Sequence, residues 1–199
     1  MSQPRADKTF ERPSSARGPH GRDESRAAVV TGGTGFIAAH LIKALVDSGW
    51  RVRTCGRSSR PDSLEPEVEY HSVDLTGDEP LEPLFEDMTH LFHLAGLSSS
   101  FASKDEMYRA NVDGTENLLR AAFASGVERV LHMSTSSIYG KDVQLPLPVP
   151  EDVEPHPSPG YAESKWQSEQ VAWGFADKGL PLMVLRPASV YGPGAVKLV

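Results

Sequence analysis

One cysteine, Cys55, occurs in the 199 residues, so no disulfide can close within the chain and no cysteine-rich zinc site can form. Long apolar runs are also missing, and none approaches the ~20 residues of a membrane-spanning helix. Positive charge is scarce: 20 basic against 27 acidic residues give a net charge of −7. That leaves no broad basic surface, so neither nucleic acid nor a membrane is expected as a partner. The N-terminus carries charges but no apolar signal core, and a reducing cytoplasm is the expected location. What the chain does have, 39% hydrophobic and 24% charged residues, suits one soluble domain, or one domain with a fragment of a second.

Residues 1–26 hold Pro4, Pro13 and Pro19, many Arg and Ser, and almost nothing to bury. They are expected to form a disordered tail. From Ala27 onward, β-branched runs alternate with stretches of helical period, the pattern of an α/β fold in which a doubly wound parallel sheet of about six strands has helices on both faces. The strands are expected at Ala27–Thr31, Arg51–Cys55, Val68–Val73, His90–Ala95, Arg129–Met133 and Leu182–Leu185. Helices are expected at about Gly35–Ser48, Lys104–Ser125 and Gly160–Asp177. The segment Leu145–Pro159 is too rich in proline for either and must cross the surface.

The sharpest signal is Thr31-Gly32-Gly33-Thr34-Gly35-Phe36-Ile37-Ala38, set between the first strand and the first helix. Glycines there permit a tight turn and let the backbone approach a pyrophosphate, which then meets the free N–H groups of the helix. Ala38 stands where a third small residue lets helix pack on strand. In a dinucleotide site, an acidic residue at the end of the second strand would bind the ribose of NAD; the chain has Gly56-Arg57 instead. Arg57, with Arg53 or Arg60 as helpers, suits the 2′-phosphate of NADP, although an arginine after a strand is also an ordinary solvated residue. Asp74-Leu75 is placed either to meet an adenine or, through Asp74, simply to cap a turn.

Downstream, Ser134-Thr135-Ser136-Ser137 closes the fifth strand and Tyr161-Ala162-Glu163-Ser164-Lys165 opens a helix. Tyr161 and Lys165 share a face. A cation beside a phenol favours the phenolate and draws its pKa toward the working range. Tyr161 would exchange a proton with a substrate oxygen, Thr135 would hydrogen-bond the same oxygen, and Lys165 would also hold the nicotinamide ribose. Alone, Tyr-x-x-x-Lys commonly means a surface pair; its weight comes from the glycine turn and hydroxyl cluster upstream. His71, His90, His93 and His132 lack metal-ligand spacing and are read as core or strand-end residues, with no metal expected. Cys55 is read as a small buried hydrophobe and Trp166 and Trp173 as packing residues.

With these motifs the sequence resembles the extended short-chain dehydrogenase/reductase family, the NAD-dependent epimerase/dehydratase group, over about Ala27 to Gly194. Further matches are His93-Leu94-Ala95-Gly96, Asn111-Val112-Asp113-Gly114-Thr115 and Leu185-Arg186-Pro187-Ala188-Ser189-Val190-Tyr191-Gly192-Pro193-Gly194. The resemblance implies an NAD(P)-binding Rossmann domain at 27–199. Gly32, Gly33, Thr34, Gly35, Phe36 and Ile37 would cradle the pyrophosphate, and Ala95 and Gly96 would pass the adenosine. Pro187 and Val190 would flank the nicotinamide. Thr135, Tyr161 and Lys165 match the catalytic set, and Asn111 the asparagine that supports it.

The resemblance also implies a nucleotide-sugar or related hydroxy or keto substrate, and a homodimer formed through the helices near 104–125 and 160–177. Ser136 and Ser137 replace the acidic pair of the sugar dehydratases, which disfavours water elimination. The family continues past Val-Tyr-Gly-Pro-Gly into a smaller substrate domain, expected here to be truncated or absent. Two readings stay open: an oxidoreductase or epimerase moving hydride with a Thr-Tyr-Lys set, and an NAD(P)-binding module without turnover.

Overall fold

A computed structural model describes residues 26–99, 101–141 and 144–195. The tail expected at 1–26 lies outside the described residues apart from Arg26. Among the described residues, six parallel strands form one sheet: β1 (Ala27–Thr31), β2 (Arg51–Gly56), β3 (Glu69–Ser72), β4 (His90–His93), β5 (Arg129–Met133) and β6 (Leu182–Leu185). Their spatial order is β3-β2-β1-β4-β5-β6, the doubly wound arrangement expected from the sequence. The strand order reverses between β1 and β4, and there the connections splay to opposite faces and open a cleft at the carboxyl ends.

β1 is buried along its whole length, and its alternation divides the core. Ala28 and Val30 face α1 (Phe36–Asp47), which supplies Ala38, Ile42 and Leu45. Ala27 and Val29 face the other layer, built from α3 (Gly114–Ala124) and α4 (Tyr161–Ala176) through Leu118, Leu119, Ala122, Ala172 and Phe175. Strand residues of opposite parity thus hold a helical layer on each face. No helix among the described residues is long and apolar enough to cross a membrane.

One element departs from expectation. The helix expected at Lys104–Ser125 is split into α2 (Lys104–Tyr108) and α3 by a π-helical turn at Arg109–Asp113, where the Gly114 N–H bonds the Arg109 carbonyl. A Ser103–Glu106 capping box starts α2. Single π-turns arise where a side chain must be re-aimed. Asn111, within this one, is turned inward: its Oδ1 accepts from Leu97 N–H at 2.6 Å and its Nδ2 donates to Leu97 O at 3.1 Å and Ser164 Oγ at 2.9 Å.

Candidate functional site

The turn after β1 is built on steric necessity. Gly32 has φ +73°, and a Cβ there would stand 2.9 Å from the Ala95 backbone that follows β4. A Cβ on Gly33 would lie 2.1 Å from Thr54 Oγ1, itself bonded to Val30 O at 2.6 Å. The Gly35 N–H closes the turn onto Gly32 O at 2.7 Å, and α1 begins without a side-chain cap or an acidic residue in its first turn. The free amides and positive end of α1 therefore face the cleft uncompensated, a fit for a pyrophosphate.

Two cavities of about 350 and 440 Å³ meet at this turn, with Gly32 and Gly96 in the walls of both. The first collects Gly35, Phe36 and Ile37 with Thr135, Tyr161, Lys165, Pro187 and Val190. The second collects Thr34, Arg57, Asp74, Leu75 and Ala95. Together they take in nearly every residue singled out in the sequence. Besides the two arginine helpers, Gly33 and Asn111 stand apart: Gly33 packs against Thr54, and Asn111 lines neither cavity but ties the Leu97 loop to α4.

Lys165 is 3% exposed, and its Nζ would be 3.8 Å from a Cβ on Gly96. Burial lowers its pKa to about 8, with Glu169 one turn along α4 opposing the shift. The expectation that a cation draws the Tyr161 pKa down is not met by the chain's own groups. Burial raises it, and the nearby Thr135 hydroxyl pulls the other way. Desolvation of a phenolate outweighs that pull here. Thr135 Oγ1 accepts the Ser137 N–H at 3.2 Å, so its position is fixed by the backbone.

The suggested arginine helpers are committed elsewhere. Arg53 donates to Glu69 at 2.7 Å and to the carbonyls of Pro83, Leu84 and Glu86, and Arg60 to the carbonyls of Leu64, Glu65 and Val68. Neither lines a cavity, which leaves Arg57. Asp74 caps a turn through Oδ1, accepting from Thr76 N and Oγ1 at 2.9 Å each, and also lines the second cavity. These bonds hold its carboxyl below the ordinary range.

Beneath the turn runs a buried chain whose protons can be assigned. Thr115 Oγ1 donates to Asn111 O at 2.5 Å, so His93 Nε2–H must donate to Thr115 at 2.8 Å, and Thr31 donates to His93 Nδ1 at 2.8 Å while accepting Ala95 N–H at 3.2 Å. Burial, with Lys165 nearby, pushes His93 down to about 3, so this tautomer stays neutral. His93 and His132 are thus core histidines, as read from sequence.

Sequence reasoning passed over Arg109 and Glu106, which wall the second cavity, although both lie just upstream of the Asn-Val-Asp-Gly-Thr motif. It also passed over Glu169, whose i,i+4 spacing from Lys165 was a usable signal. Cys55 lines the second cavity yet is buried, and burial pushes its thiol up to about 12. Iodoacetamide at neutral pH is accordingly expected to label Cys55 in urea but not in the native chain, as read by mass spectrometry.

Residues 28–198 match the model of the NAD dependent epimerase/dehydratase family. A putative dihydroflavonol 4-reductase of Synechocystis sp. is 33% identical over 178 residues, covering 84% of this chain and 50% of the relative. UDP-glucose 4-epimerase of Thermotoga maritima, solved with UDP-glucose, superposes with a TM-score of 0.77 at 31% identity, covering 84% of this chain and 57% of the other. MoeE5, solved with UDP-glucuronic acid and NAD, gives 0.75 at 34%, covering 84% and 56%. The chain spans about half the length of the curated relatives it matches. With a glycine turn on β1, a switch-point cleft and a family match over most of its length, this chain belongs to the NAD-dependent epimerase/dehydratase family of extended short-chain dehydrogenases/reductases.

Proposed function

We propose that the chain binds a nicotinamide dinucleotide along the paired cavities and serves an oxidoreductase or epimerase acting on a hydroxy or keto group. The observation that carries this reading is the placement of Thr135, Tyr161 and Lys165 on one cavity wall, joined across Gly32 to a second cavity suited to an adenosine. When bound, the nicotinamide ring supplies or accepts the hydride. The chain's own groups do the rest: Tyr161 moves the proton, Thr135 holds the substrate oxygen and Lys165 anchors the ribose hydroxyls. Asn111 is a positioning residue, since it acts through Leu97 and Ser164.

The substrate class is a sugar nucleotide or a related hydroxy or keto compound, by analogy with the UDP-sugars bound by two of the solved relatives. Ser136 and Ser137 offer no carboxylate beside Thr135, so water elimination is not proposed. Half-exposed Tyr108, Phe123 and Trp173 on α2, α3 and α4 suit a second copy of the chain. The alternative is a dinucleotide-binding module without turnover, which would keep the same glycine turn and paired cavities.

Titration with NADH and NADPH, followed by a screen of ketones and sugar nucleotides for cofactor oxidation, separates the two readings. Binding of neither dinucleotide overturns both; tight binding without oxidation favours the module. Because Arg57 adjoins the second cavity where no carboxylate closes β2, NADPH is expected to bind better than NADH. Arg57→Ala should weaken NADPH by about tenfold and NADH much less, the loss of one charge-assisted contact. Equal affinities before and after the exchange remove the NADP preference.

A further inference from the structure

Residues 187–195 run from the end of β6 toward α1. Among the described residues β6 is an edge strand, and β5 and β4 lie between it and β1, from which α1 departs. A segment running from β6 to α1 must cross three inter-strand spacings, about 14 Å, over the carboxyl ends of the sheet. This one does so. Its start is tied by the Ser136 N–H to Pro187 O at 2.9 Å, and Pro187, Ala188 and Val190 then wall the first cavity.

At the far end a turn, Ala195 N–H to Gly192 O at 3.1 Å, is seated on α1. A Cβ on Gly192 or Gly194 would lie 3.6 or 3.8 Å from the Phe36 ring, ordinary contact distance, so the turn runs alongside that ring. His40, one turn further along, meets Phe36 edge to face at 5.2 Å and bonds Pro193 O at 2.9 Å. The acceptor is a carbonyl, so His40 must donate its Nε2–H.

We propose that Phe36 and His40 form a latch that holds this strap across the nicotinamide half of the cleft and sets the rate at which a dinucleotide leaves. The proposal rests on the dinucleotide reading of the cleft. Phe36 touches the cavity itself; His40 is exposed and lines neither cavity, so it reports on the latch alone. Its role is positioning.

The test pairs stopped-flow release of NADH with hydrogen exchange of residues 187–195. His40→Ala should release NADH about fivefold faster, the equivalent of one hydrogen bond, and exchange faster across the strap. Its melting temperature should stay unchanged. His40→Gln, which can donate to the same carbonyl, should restore both rates. Wild-type release from His40→Ala, or faster exchange without faster release, overturns the latch. A wild-type chain that binds neither NADH nor NADPH overturns the cofactor reading and the release role with it, whereas binding with unaltered release overturns the latch alone.

Discussion

Exchanging Tyr161 for Phe is expected to lower kcat for cofactor oxidation by about 10²- to 10⁴-fold, the usual worth of a placed general acid. Dissociation constants for NADH and NADPH should stay within about twofold, because only a hydroxyl is removed and no charge is lost. The phenol is raised by burial and restrained by Thr135, so it stays protonated at neutral pH. It is therefore equipped to donate a proton to the oxygen of a carbonyl under reduction. The phenolate left behind needs a cation nearby. Lys165, lowered by burial to about 8, is charged below that value and neutral above it, so reductive turnover should decline as pH rises past about 8. Unchanged turnover in Tyr161→Phe would remove the phenol from the chemistry.

Replacing Glu169 with Ala should cost about 1–3 kcal/mol of stability, because the partly exposed Arg186 and the Trp173 N–H lose their buried acceptor. Glu169 is 0% exposed, and its carboxylate takes bonds from Arg186 Nε at 3.2 Å, Arg186 Nη2 at 2.5 Å and Trp173 Nε1 at 3.2 Å. Arg186 reaches on to Tyr139 Oη and Glu151 O, both at 2.7 Å, so one guanidinium joins α4, the end of β6, the turn after β5 and the proline-rich segment. Burial raises the Glu169 pKa, but the bonds from Arg186 and Trp173 outweigh it and the net shift is downward. A carboxyl depressed in the folded state contributes fully above its unfolded pKa, and loses that contribution as pH falls through the folded one. Urea unfolding across the acid range should show this slope in the wild type and a flatter one in Glu169→Gln. Identical slopes would mean that another carboxylate sets the acid limit.

Much of this architecture was written in local pattern. The alternation of β1 with α1 and the glycine turn between them rest on short-range sterics, and every strand was legible in place. Most of the walls of the two cavities were legible for the same reason, since strand ends and helix starts converge where the strand order reverses. What escaped depends on contacts distant in sequence. Arg53 and Arg60 cannot be seen to be spent until the backbone carbonyls they bind are folded beside them. The Tyr161 pKa turned on desolvation, which no spacing reveals. His40 and Pro193 are 153 residues apart, and only the sheet order brings them together.

The π-turn at Arg109–Asp113 has a geometric corollary. One residue of an α-helix is worth about 100° of rotation, so the extra residue shifts the phase of α2 against α3. Excising a single position there would restore a continuous spiral and swing either the upstream or the downstream side chains around the axis. Met107 would leave the interior and Arg109 and Glu106 would turn off the second cavity, or else Leu118 and Leu119 would turn off the sheet. The helix can serve both surfaces only by remaining out of step with itself.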